Sequence, residues 1–155
     1  MTWTGELLRI FTAETAGAAM VELDEAVLVA GHGIEGDRYA TGRGLYSTRP
    51  HEDRQVTLIE EETLVALARD HDLTLEPGET RRNLLTRDVP LNHLVGKHFR
   101  VGGAVLFGGR LNVPCRYLEN LLGKPVFAPL ANRSGLNCRI VTGGTIRPGD
   151  RMVPA

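Results

Sequence analysis

The chain is poor in cysteine. It has two in 155 residues, Cys115 and Cys138, and they do not form a CxxC pair. Two cysteines without CxxC spacing argue against a structural zinc site. The opening residues, "MTWTGELLRIF", show no basic stretch followed by a long apolar run and a small-residue cleavage site. The expected compartment is therefore the cytoplasm, where a Cys115–Cys138 disulfide is not expected. No apolar stretch is long enough to span a bilayer, which argues against a membrane protein. Charge of one sign is also missing, with a formal net charge of -1. Neither nucleic acid nor an anionic membrane would be attracted to the chain as a whole, so an anion site has to come from a local cluster of arginines.

Glycine, by contrast, is plentiful, with 18 residues, and proline adds 8. They punctuate short runs that favour strands. "GELLRIF" (5–11), "AAMVEL" and "EAVLVA" read as early strands, and "RQVTLI" (54–59) alternates polar and apolar residues. "HFRVGGAVLFGG" predicts two strands joined at Gly102-Gly103, a pair suited to a tight hairpin. "NCRIVTGGTIRPGDRMV" repeats the device at Gly143-Gly144 and again at Pro148-Gly149. Helical patterns are few. "EEETLVALARDHDL" has acidic residues in its first turn and Leu64, Leu67 and Ala68 on one face. "PCRYLENLLG" has Pro114 at a first helical position, a Leu118/Leu121/Leu122 stripe and Gly123 just past its end. "PLNHLVG" predicts a short turn. The expected fold is mostly β: one domain over residues 1–155, a closed or nearly closed β-barrel with two or three short helices. The longest irregular segment, residues 40–54, is a candidate for a mobile loop covering a ligand.

Local chemistry singles out Cys115. At the first turn of a helix, with Arg116 adjacent and Arg110 nearby, a thiolate is favoured, the form that ligates soft metals or attacks sulfur. A buried inert thiol is the competing reading. Cys138, in "LNCRIV", alternates onto one face with Ile140 and reads as core, while Asn137 and Arg139 take the other face. Arginines come in groups: Arg38 in "EGDRY", Arg81 and Arg82 in "RRNLL", Arg133 in "NRSG". Arginine is the natural bidentate partner of phosphate, and several groups together point to one phosphate-bearing ligand. The Gly31/Gly33/Gly36 segment is not a dinucleotide fingerprint, because strand-like sequence continues on both sides. Among the histidines, only His32 lies in a Gly-rich segment near arginines and stays a site candidate. Glu60, Glu61 and Glu62 are accounted for by the helix start.

Taken in order, these motifs resemble the MOSC domain, the module named for the C-terminal part of molybdenum-cofactor sulfurases. "GIEGDRY" is similar to that family's G-x-x-G-D-R-H, and "RQVTLIEEETLVAL" to its strand running into a helix. "RRNLLT" is similar to its Arg-x-Asn segment, and "LVGKHFRVGGAVL" to its hairpin. "PCRYLENLLG" carries the family's Pro-Cys, and "RSGLNCRIVTGGTIRPGD" looks like its closing segment. Two positions depart from the pattern. Tyr39 stands where the family has histidine after G-D-R. Asn112 stands near where the better-known reductases have an arginine before Pro-Cys, with Arg110 further back.

The resemblance implies a β-barrel that binds a molybdopterin-type molybdenum cofactor. Cys115 would be the catalytic residue and the protein's ligand to molybdenum. Arg38, Arg54, Arg81, Asn83 and Arg139 would bind the cofactor's phosphate tail. The implied activity is two-electron reduction of N-hydroxylated compounds, with a small-molecule substrate and an electron-transfer protein as partners. The alternative is a carrier of sulfur or cofactor, with a Cys115 persulfide loaded by a cysteine desulfurase and no redox turnover. A third reading is a barrel that has lost its chemistry and serves as a binding module. Pyridoxal phosphate is not expected, because in fused sulfurases it belongs to a separate aminotransferase-like domain.

Overall fold

The computed structural model describes residues 1–49 and 51–155. Pro50, inside the segment read as a ligand cover, lies outside the described residues. Among the described residues, eleven strands and two α-helices follow one another along the chain. They are β1 (Gly5–Thr12), β2 (Val21–Leu23), β3 (Ala26–Val29), β4 (Gly33–Ile34), β5 (Val56–Glu60), α1 (Glu61–His71), β6 (Leu84–Arg87), β7 (His98–Val101), β8 (Ala104–Leu111), α2 (Arg116–Leu122), β9 (Leu136–Thr142), β10 (Gly144–Ile146) and β11 (Arg151–Pro154). Seven strands close a barrel in the order β11-β7-β8-β9-β5-β6-β1, and β1 pairs back to β11. Strand β2 extends it on the outer side of β1, and β10-β3-β4 form a small second sheet. The mostly-β, closed-barrel expectation holds. Among the described residues, no helix is long and apolar enough to cross a membrane.

The barrel interior and its outer face are both apolar where β5 and β6 run side by side. Leu58 and Leu84 point into the core with Phe99, Leu106, Leu136 and Cys138. Their neighbours Ile59 and Leu85 point outward and are covered by Leu67, Leu118, Val126 and Leu130. A strand pair buried on both faces reads as a continuous apolar run, and β5–β6 is the parallel pair of the barrel. Helix α1 supplies the crossover between them. Its buried side chains are Thr63, Ala66 and Leu67, so the covering face lies one step round from the expected one and leaves Ala68 exposed.

Two glycine pairs behave differently. At Gly102-Gly103 the chain makes the expected hairpin, with Val101 opposite Ala104 and Gly102 at φ 55°. At Gly143-Gly144 it does not: β10 leaves the barrel and pairs with β3. A side chain at Gly143 would meet the Leu28 carbonyl oxygen at 2.4 Å, so the glycine serves a close strand crossing rather than a turn. Nor do β10 and β11 pair across Pro148-Gly149, because β11 belongs between β1 and β7. Pro114 also differs from expectation. It precedes the cap of α2, and Cys115 is the cap residue itself, with extended backbone at φ -132° and ψ 150°. Gly123, at φ 64°, ends the helix as expected.

Candidate functional site

One cleft gathers residues from the starts of β5, β6 and β9, the end of β8, and the loops after β4 and β8. Its first wall is built on Asp37, which is fully buried. The Asp37 carboxylate accepts from Ala13 N at 3.1 Å, Tyr39 N at 3.3 Å and Arg38 Nη1 at 3.0 Å. Arg38 then donates through Nη2 to the Arg81 carbonyl at 3.1 Å, tying the loop after β4 to the entry of β6. Arg81 sits at φ 60°, where a left-handed turn reverses the chain before β6. Its Nη1 donates to the Ala18 carbonyl at 2.5 Å. Its Nη2 is buried and has no partner among the described residues.

Arg82 is held more completely. Nε donates to the Ser134 carbonyl at 2.9 Å and Nη1 to the Thr80 carbonyl at 3.1 Å. Nη2 donates to Asn112 Oδ1 at 2.5 Å and Ser134 Oγ at 2.9 Å. None of these acceptors is charged. Burial pushes the Arg82 pKa down to about 10; the neighbouring Cys115 acts against that shift, while the Arg38 cation adds to it. Burial also lowers the Arg81 pKa, with the Arg38 charge adding to the effect. Arg81 is buried and Arg82 half-buried, and neither has a carboxylate partner, an arrangement that costs free energy until an anion arrives.

Cys115 lines the same cleft. It is half-buried, with its inner side against the apolar cluster that includes Leu118. The loop after β4 brings Tyr46 to the same place. Burial raises the Tyr46 hydroxyl pKa, and the neighbouring Cys115 adds to the effect. Arg54 stacks over the Tyr46 ring at 5.1 Å and donates through Nη1 to the carbonyls of Tyr46 and Arg49, which straps that loop to the barrel. The cavity of this cleft is about 240 Å³. Five arginines line it, Arg38, Arg54, Arg81, Arg82 and Arg110, with Cys115, Tyr39, Tyr46, Asn112, Thr57 and Asn137. Among the described residues no carboxylate lines it. A wall of guanidinium groups around one thiol suits a ligand that carries negative charge at one end and a thiophilic centre at the other.

A family model for the MOSC domain matches residues 32–153. This chain belongs to the MOSC domain family. The family is associated with the molybdenum cofactor. Solved structures share the fold at low sequence identity. The YuaD protein from Bacillus subtilis is 19% identical with a TM-score of 0.80, covering 97% of this chain and 97% of that one. YiiM from Geobacillus stearothermophilus is 13% identical with a TM-score of 0.75, covering 97% of this chain and 75% of that one. YiiM from Escherichia coli is 18% identical with a TM-score of 0.68, covering 100% of this chain and 70% of that one. No curated protein matches the chain.

Within this MOSC domain, four residues expected at the site from sequence, Arg38, Arg54, Arg81 and Cys115, meet in the cleft. Asn83 is placed elsewhere. It is 1% exposed, its Oδ1 accepts from Thr57 N at 3.0 Å, and its Nδ2 donates to the Phe11 carbonyl at 3.0 Å, so it ties β1, β5 and β6 together. Arg139 is also placed elsewhere. The turn at Glu52–Arg54 intercepts it: Glu52 pairs with Arg139 Nη1 at 2.5 Å, and Phe107 lies under its guanidinium at 4.1 Å. Arg116, the sequence neighbour of Cys115, turns away to Glu119 at 2.7 Å and stacks over Phe127. His32 lines an adjoining cavity that shares Tyr39, Tyr46 and Arg54 with the cleft. Cys138 is core, and burial pushes its thiol pKa well up. Arg82 and Tyr46 are among the lining residues that the sequence does not assign to the site. The doubled arginine in "RRNLL" was a signal for the first. The second lies in the 40–54 segment, which the sequence marked as a ligand-covering loop without singling out Tyr46.

Proposed function

We propose that this MOSC protein binds a molybdenum cofactor in the arginine cleft and reduces N-hydroxylated compounds, with Cys115 as the protein's ligand to the metal. The observation that carries the reading is the composition of one cavity: five arginines and one thiol, with no carboxylate among its described lining residues. The buried, unpartnered Nη2 of Arg81 fits an absent oxyanion acceptor. No three His, Cys, Asp or Glu side chains gather among the described residues, so a metal held at Cys115 would bring its other ligands with it, as a dithiolene cofactor does.

In this reading Arg81 and Arg82 take the phosphate end, and Arg38, neutralised by Asp37, is the scaffold that fixes Arg81. The Cys115 sulfur presents a soft ligand in the same cleft, with Tyr46 over it. When bound, the cofactor supplies the two-electron chemistry. The overall reaction takes up two electrons and two protons, breaks the N–O bond and releases water. The electrons come from a separate electron-transfer protein. The competing carrier role would use the same thiol as a persulfide.

The test uses protein from a cofactor-competent host. Turnover of an N-hydroxylated amidine with a chemical reductant is expected for the wild type and at least 100-fold less for Cys115→Ser. Intact mass after incubation with a cysteine desulfurase separates the readings. A gain of one sulfur atom on Cys115 without turnover would replace the reductase with the carrier.

A further inference from the structure

The cleft holds two of its arginines by opposite means. Arg38 is clamped by a buried carboxylate, Asp37, which both fixes and neutralises it. Arg82 is clamped as firmly, by four hydrogen bonds, but to neutral oxygens only. We propose that Asn112 is the positioning residue responsible for this difference: its amide fixes Arg82 while leaving the guanidinium charge uncompensated, which makes Arg82 the seat for a phosphate-like oxyanion. The inference rests on the reading of the cleft as an anion site and names the residue that sets its charge.

Asn112 is itself locked from three sides. Its backbone N–H donates to the Gly135 carbonyl at 2.8 Å, and its Nδ2 donates to Asn137 Oδ1 at 2.9 Å. Its Oδ1 accepts from Ser134 Oγ at 3.0 Å as well as from Arg82. The donor side of the amide is taken by β9, so the acceptor side faces Arg82. Other residue types would fail one requirement or the other. An aliphatic side chain would fit the space but leave an Arg82 N–H without its acceptor. An aspartate would hold Arg82 through a charge-assisted bond and would cancel the charge the ligand needs, with the Asn137 amide reversed so that its Nδ2 donates to the second carboxylate oxygen. Of the five N–H donors of Arg82 four are used inside the protein, which leaves one on Nη1 together with the full charge. An anion arriving in the cleft would then meet a cation whose geometry is already set.

Isothermal titration of the full chain with inorganic phosphate, paired with thermal melting, separates positioning from packing. Asn112→Asp is expected to weaken phosphate binding about tenfold or more while the melting temperature holds or rises, because the new carboxylate pairs with Arg82. Asn112→Ala is expected to weaken binding and lower the melting temperature together. If Asn112→Asp binds phosphate within twofold of wild type, Asn112 only packs the loop and the proposal is wrong, while the anion cleft stands. If the wild type takes up no phosphate, the anion reading of the cleft fails and this inference falls with it.

Discussion

Single residues in this protein divide into those that face the ligand and those that hold the walls apart. Asn83 shows how sequence motif and structural job can diverge. It lies in the Arg-x-Asn segment, yet its side chain closes a buried joint between three strands. Asn83→Ala would strip the Thr57 backbone N–H and the Phe11 carbonyl of their partners in the core. We expect a loss of about 2–4 kcal/mol in urea denaturation, with phosphate affinity unchanged at temperatures where the variant stays folded. A variant of normal stability that no longer bound phosphate would instead make Asn83 a ligand contact. The arginines were legible as groups but not as individuals. Arg81 and Arg82 are adjacent, and only the left-handed turn at Arg81 brings both into one cavity. Arg139 lies two residues beyond Asn137 on β9, and capture by Glu52 keeps it out of the cleft.

At the scale of elements, the segment from β5 to β6 carries a built-in electrostatic strain. Glu60 ends β5, caps α1 and accepts from Leu91 N at 3.1 Å. Burial raises its pKa above 4.5, and the charge of Glu62 pushes the same way. A carboxyl group that titrates higher in the folded state than in the unfolded one makes its ionised form a cost above that range, and the cost disappears on acidification. Glu60→Gln keeps an acceptor for Leu91 and removes the charge. Its melting temperature should exceed wild type at pH 7 by about 1–2 °C, since partial exposure screens the charge. The gap should close as the pH falls toward 4.5, the ordinary value. A gap that widened on acidification would refute the assignment. Element by element, legibility followed the range of the interaction. The Gly102-Gly103 hairpin is a local event and was readable. β6 was missed because its parallel partner, β5, lies on the far side of the α1 crossover, and Gly143-Gly144 was misread because the strand it serves, β3, lies more than a hundred residues earlier.

The whole molecule sets an arginine-rich cavity into one end of a barrel whose net charge is -1. Acidic residues are not scarce; they lie elsewhere, paired on the outside as Glu22 with Arg9 and Glu79 with Lys124, or buried behind Arg38 as Asp37. The positive cleft is thus a product of folding rather than composition, and for that reason the overall charge concealed it. The closed barrel makes the arrangement rigid: Arg82, Asn112 and Asn137 come from different strands or strand ends but are joined by one run of hydrogen bonds. The central claim is that this cleft, through Arg81, Arg82 and Cys115, holds a molybdenum cofactor. The most direct measurement is the molybdenum content of protein purified from a cofactor-competent host, by elemental analysis, for wild type, Arg82→Ala and Cys115→Ser. The account predicts near-stoichiometric metal in the wild type and at least a tenfold loss in both variants. A wild-type protein free of molybdenum, or one whose metal survives both substitutions, would contradict it.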